Sequence, residues 1–187
     1  MGRANDAKGV GRMQNSLKTD TEGMGSVGCS SEVNYAAILD KPVLTSGAPS
    51  PASRHVRGAK VDFASQRVVS LPVSDEKRPR CEVSAADVQA VDQRGVTITS
   101  DASLRPLTHG GGLLVFAKQG RLIGAQVVSP RGAPIGKIVN FVFRLMDGFI
   151  STYEVSQGFF KDLLKGRCLL SPDEVTGASL GELVVKE

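Results

Sequence analysis

From residue 121 onward the apolar positions fall into short runs with a spacing near two, separated by turn residues, the pattern of β-strands rather than helices. Residues 121–128 read as a strand, and Ser129-Pro130-Arg131-Gly132 as the turn after it. Residues 135–146 predict a long strand. Ile135, Val139, Phe141, Phe143 and Leu145 are assigned to its buried side, interrupted by Lys137, and Gly136, Ile138, Asn140, Val142, Arg144 and Met146 to the other. Asp147-Gly148 is a two-residue hairpin signal, because the glycine reaches positive φ at little steric cost. Residues 149–156 alternate again, with Phe149, Tyr153 and Val155 on one side and Thr152 and Glu154 on the other. Phe159, Phe160, Leu163 and Leu164 follow at helical spacing around Lys161 and Asp162, which predicts a single turn capping an open barrel end. Residues 168–170 and 182–185 complete about five strands. Short antiparallel strands with so little helix must curl on themselves or pair with a second sheet, so a small β-barrel is expected.

The chain ahead of this unit is less regular. Residues 1–34 carry only Met13, Leu17 and Met24 as scattered large apolar groups, too few to offset the entropy of ordering, and predict a disordered tail. Residues 102–120, with Gly110, Gly111 and Gly112, read as a linker between a first unit, 35–101, and a second, 121–187. Laid on one another, the two units correspond in order. Val43-Leu44-Thr45-Ser46-Gly47-Ala48-Pro49 parallels Val128-Ser129-Pro130-Arg131-Gly132-Ala133-Pro134, and residues 68–74 parallel 150–156. Arg80-Cys81 parallels Arg167-Cys168, Val83-Ser84 parallels Leu170-Ser171, and Asp87-Val88 parallels Glu174-Val175. This predicts a tandem repeat with one degenerate copy. Where the second unit has its long strand, residues 50–65 contain Pro51, Arg54, His55, Arg57 and Lys60 and show little strand character.

Taken together, Gly132-x-x-x-Gly136-Lys137-Ile138-Val139, the Asp147-Gly148 hairpin, Tyr153-Glu154-Val155-Ser156, Asp162-Leu163-Leu164 with Gly166-Arg167, and residues 170–175 resemble the PRC-barrel family. The resemblance covers residues 122–186; residues 36–101 resemble the family faintly and lack the second glycine of the first motif. It implies small antiparallel PRC-type β-barrels in tandem, without catalytic residues of their own, serving a binding or assembly role through protein–protein interaction. One branch of the family sits in a ribosome-maturation factor, so an RNA-processing or ribosome-associated role is the alternative. Fold alone does not choose a partner.

Composition and charge narrow these expectations. In 187 residues, 41% are apolar and 22% charged, which permits a core, while only 5% are aromatic and there is no Trp, so that core is aliphatic. The net charge is +4, yet residues 1–34 hold four basic and four acidic groups, 35–112 ten and eight, and 121–187 eight and seven. A basic stripe for phosphates is not built by so thin an excess, and the one dense stretch, Lys77, Arg78 and Arg80, is preceded by Asp75 and Glu76. Cys29, Cys81 and Cys168 form no close pair and follow no secretory segment, which points to a reducing, cytoplasmic setting with Cys81 and Cys168 as buried strand residues. The longest apolar run, residues 113–117, is too short for a membrane helix.

Enzyme chemistry finds no complete set of groups. His109-Gly110-Gly111-Gly112 matches an oxyanion loop and Gly177-Ala178-Ser179-Leu180-Gly181 a nucleophile elbow, but both histidines, His55 and His109, precede Ser179 and no βαβ pattern surrounds them. The cysteines and histidines never fall at metal-ligand spacing, and no phosphate-binding glycine loop occurs, so neither metal nor cofactor is expected. The candidate partner-binding residues are Phe159, Phe160, Lys161, Lys165 and Arg167, because two adjacent aromatics on a short turn cannot readily both face inward.

Overall fold

The computed structural model describes residues 32–47, 54–74, 81–108, 113–116, 119–120, 122–179 and 181–186. The elements are, in order, β1 (Glu32–Asn34), α1 (Tyr35–Ile38), β2 (Val43–Thr45), β3 (His55–Val56), β4 (Gly58–Asp62), β5 (Arg67–Ser74), β6 (Cys81–Ser84), β7 (Val88–Val91), β8 (Val96–Ile98) and β9 (Leu104–Pro106). They continue with β10 (Leu113–Phe116), β11 (Gln119–Gly120), β12 (Gln126–Val128), β13 (Pro134–Arg144), β14 (Ile150–Ser156), α2 (Phe159–Lys165), β15 (Cys168–Leu170), β16 (Val175–Ser179) and β17 (Glu182–Val185). The protein is mainly β, with several sheets, one of them curled into a half-barrel. One sheet runs β15-β14-β13-β12-β17-β16 with β1 added on β13; a second runs β11-β10-β4-β5-β6-β9 with β3 added on β5; a third is β2-β8-β7. Among the described residues no helix is long and apolar enough to cross a membrane.

The same pairings occur in both halves. Val61 faces Val68 across β4 and β5, as Phe143 faces Ile150 across β13 and β14, and each pair follows directly on a register shift. Val73 pairs with Cys81 as Val155 pairs with Cys168. Val88 pairs with Ile98 as Val175 pairs with Val185, each again beside a shift. β2 lies parallel to β8 with Val43 opposite Val96, as β12 lies parallel to β17 with Val127 opposite Leu183. The strand counterpart of Val43 is therefore Val127, one residue from the Val128 expected.

The hairpin joining β13 and β14 turns through residues 145–148 rather than through two residues, with Arg144 N–H donating to Phe149 O and Gly148 N–H to Arg144 O, both at 2.8 Å, and Gly148 at φ 70°. Alternation along the long strand departs from the expected phase. Ile138 faces Val155 and Phe141 faces Tyr153, so Val139 is an extra residue, and the bulge carries Ile138 into the core beside Phe141 and Phe143. Asn140, next to Phe141 and so on the opposite face, is buried among polar partners, Asn34 and Glu154. A second shift, at Ser151, likewise puts Ile150 in the core. In the first half the corresponding strand is present but broken at Arg57 into β3 and β4; Val56 pairs with Val73 as Ile138 pairs with Val155. Of the expected tail, residues 1–31 lie outside the described residues, and Glu32–Asn34 form a strand. The expected linker, 102–120, carries β9, β10 and β11.

Two of these short strands cross between halves. β1, which precedes the first half, pairs with β13 of the second (Val33 opposite Phe143), and β10, which precedes the second half, pairs with β4 of the first (Leu113 opposite Val61). Behind β1, the ring of Tyr35 stacks on Phe141 with centroids 4.5 Å apart. The hairpins also meet: Val68 N–H donates to Gly148 O at 2.8 Å and Ile150 N–H to Gln66 O at 2.9 Å. The buried Tyr153 hydroxyl donates to Gln66 Oε1. Burial pushes the Tyr35 and Tyr153 phenols well above the ordinary value, so both stay neutral. One hydrophobic core runs through both halves as a result.

Candidate functional site

The candidate partner-binding residues lie on α2 and on the Gly166-Arg167 turn into β15. The helix is tied to the end of β14 by Asp162, whose carboxylate accepts from the Ser156 hydroxyl and, at 2.9 Å, from Gln157 N–H. These bonds, led by Ser156, hold the Asp162 carboxyl below its ordinary range. Gly166 N–H closes the helix onto Asp162 O at 2.9 Å. Arg167 donates to Glu154 Oε2 at 2.8 Å, and Glu154 Oε1 accepts from the buried Asn140 amide at 2.9 Å. Asn140 in turn donates to Asn34 Oδ1 at 2.8 Å, so the turn after α2 is connected through side chains to β1.

The barrel-cap expectation for this helix is corrected. Phe159 is 76% exposed, Leu163 72% and Leu164 83%, and on the adjoining β15 Leu169 is 68% exposed. Hydrophobic spacing alone could not foresee this, because apolar residues at 159, 160, 163 and 164 leave the inward side undefined. Lys161 and Arg167 are exposed beside them; the side chains of Phe160 and Lys165 lie outside the described residues. Leu169 was missed because Cys-Leu-Leu, three apolar residues in a row, does not show which of them faces outward. An open groove of about 450 Å3 lies at the start of the helix, between β13 and the end of β14, with Lys137, Ser156 and Lys161 on its walls.

Among the described residues β15 pairs with β14 on one side only, as an edge of its sheet. Its positional counterpart β6 has β5 on one side and β9 on the other, with Cys81 opposite Pro106, Glu82 opposite Arg105 and Val83 opposite Leu104. There Glu82 Oε1 accepts from the Thr108 hydroxyl at 2.9 Å, and Oε2 accepts from the Ser70 hydroxyl at 2.7 Å and lies 3.8 Å from Lys60 Nζ. Lys60, itself buried, also donates to Thr108 Oγ1 at 2.8 Å. Burial raises the Glu82 carboxyl, but the two hydroxyls and the Lys60 ammonium outweigh it and leave it below the ordinary range.

The remaining candidate chemistry is not assembled at one place. Ser179 lies in the β16–β17 hairpin, opposite Glu182, where a nucleophile elbow requires a helix to follow the strand. The His109–Gly112 loop, Cys29 and the Lys77-Arg78-Arg80 stretch lie outside the described residues. Among the described residues no three His, Cys, Asp or Glu converge as a metal site. Cys81 is half-buried, with its thiol donating to Val73 O at 3.3 Å, whereas Cys168 is exposed, which corrects the expectation that both are buried. The chain matches no protein-family model and no curated protein.

Proposed function

We propose that the chain is a non-catalytic binding or assembly module of two PRC-type barrels in tandem, which engages a protein partner through α2 and β15. The tandem reading is supported by the matched pairings and register shifts of the two halves, at positions that also correspond in sequence. The single observation that carries the binding role is the run of exposed Phe159, Leu163, Leu164 and Leu169 within eleven residues of chain. Exposed apolar side chains scattered singly need no explanation, whereas a local concentration rimmed by Lys161 and Arg167 is the character of an interaction surface. Cys81 and Cys168, neither in a disulfide, fit a reducing, cytoplasmic setting. The ribosome-associated alternative draws less support, because Arg54, Arg57, Lys60, Arg94, Arg144 and Arg167 are engaged by carboxylates of the chain itself.

The test is affinity capture from the native host with the full chain and with a Leu163→Ser/Leu164→Ser variant. The variant should lose the captured protein while its stability changes by no more than about 0.5 kcal/mol, as expected for surface positions. Undiminished capture would remove the surface from consideration. Ribosomal particles recovered in its place, with recovery falling steeply as salt rises, would favour the alternative.

A further inference from the structure

We infer that the outer edge of β15 is a strand-addition site, taking an extended antiparallel segment of a partner protein with an apolar residue opposite Leu169. The inference rests on the binding-module reading and names the form of the partner. Its basis is inside the molecule. β6 and β15 occupy the same place in their sheets, Val73–Cys81 on one side matching Val155–Cys168 on the other. On β6 the outer edge is filled by β9, three residues in antiparallel register. On β15 no strand fills it among the described residues. Unpaired edge donors and acceptors are a template for one more strand, and main-chain pairing with pockets for alternate side chains is an established mode of peptide capture.

The occupant's chemistry follows from the one position at which the two edges differ most. Opposite Arg105 the first half has Glu82, a carboxylate held among Ser70, Thr108 and Lys60. At the matching position the second half has Leu169, with its side chain in solvent. Lys60, the cation that accompanies Glu82, has Val142 as its counterpart, each facing a hydroxyl residue, Ser70 or Thr152, just before the register shift. The carboxylate nearest to Leu169, that of Glu154 across from it on β14, already accepts from Arg167 and Asn140, so an arginine opposite Leu169 would find no unengaged carboxylate, whereas an apolar side chain would bury against Leu169. Leu163 and Leu164, a few residues before the strand in sequence, are exposed as well.

The probe is a seven-residue peptide copying residues 102–108 with Arg105→Leu, compared with the unaltered copy, each titrated to roughly millimolar into the isotope-labelled full chain, the range in which short peptides bind. Amides of Cys168–Leu170 should shift and exchange more slowly, and the unaltered peptide should bind roughly two- to fivefold more weakly, the span of one cross-strand pair. In the Leu169→Glu chain the order of the two peptides should invert. Absence of any response at Cys168–Leu170, a response confined to Cys81–Ser84 through displacement of β9, or equal binding of both peptides would overturn the inference. So would an edge already protected in the free chain in a concentration-dependent way, which would make a second copy the occupant. If Leu163→Ser/Leu164→Ser abolishes capture while the captured protein leaves Cys168–Leu170 unperturbed, strand addition falls and the binding module stands. Capture that survives those substitutions, while the peptides still act at β15, removes the α2 surface alone.

Discussion

The outer edges of β6 and β15 begin from the same pairing with the strand inside them and end in opposite states. β6 is covered by β9, and its central residue is a half-buried carboxylate satisfied by hydroxyls and an ammonium. β15 is an edge, and its central residue is an exposed leucine. The strands leading to them differ in the reverse sense, β13 being continuous through Pro134–Arg144 while its counterpart is broken into β3 and β4. The half with the cleaner sequence is thus the half left incomplete at its rim. Strand regularity and surface availability are separate properties here, and the less regular sequence of the first half reflects polar groups drawn inside and satisfied rather than a lost strand.

The largest test of the comparison lies where the halves join. In Gly148→Ala, φ of 70° is disfavoured and the new Cβ would sit 2.2 Å from Val68 O, on backbone that cannot yield without opening the hydrogen bonds between the hairpins. A loss of about 3 kcal/mol is expected, beyond what left-handed strain alone costs. Tyr35→Ala should come next, at about 3 kcal/mol or slightly less, by removing a fully buried ring stacked on Phe141. Denaturant unfolding followed at methyl groups of both halves checks these two variants. Because Tyr35 belongs to the first half and Phe141 to the second, both halves should unfold in one transition. Separate transitions would show that strand exchange by β1 and β10 does not couple them.

How much of this was legible in the chain depended on whether local chemistry carried the information. The Asp147-Gly148 turn was, because a positive φ between alternating strands has few sequence solutions. The correspondence of the halves was also visible, since residues such as Cys81 and Cys168 hold the same register position. The phase of β13 was not: bulges at Val139 and Ser151 shift the alternation, and nothing in a period of two marks where they fall. β3 and β4 were hidden because His55, Arg57 and Lys60 read as surface, while in the fold Arg57 meets Asp40 and Lys60 meets Glu82. At the candidate site the sequence singled out Phe159, Lys161 and Arg167, but the exposure of Leu163, Leu164 and Leu169 depends on which way α2 is pulled by Asp162 and Ser156. That is a tertiary matter.

A smaller and sharper test converts the first edge into the second. Glu82→Leu alone leaves the Lys60 ammonium buried without its carboxylate, and should cost more at neutral pH than the double change Lys60→Val/Glu82→Leu, which installs the residues found at the matching positions of the second half. Replacing a buried ion pair by apolar groups of similar place is often close to neutral, whereas removing one partner is not. The pH dependence separates the contributions. Glu82 titrates below its ordinary value in the fold, so it stabilises the native state above the unfolded-chain pKa, and that stabilisation is lost as pH falls through the folded value. Urea midpoints measured from neutrality into acid should therefore fall less steeply in both variants than in the parent, by roughly 1 kcal/mol over that range, the net worth of hydrogen bonds to a charged group. Parallel acid limbs in parent and double variant would mean that Glu82 is as well solvated as Leu169 is exposed, and that the covered edge is not held by its charge at all.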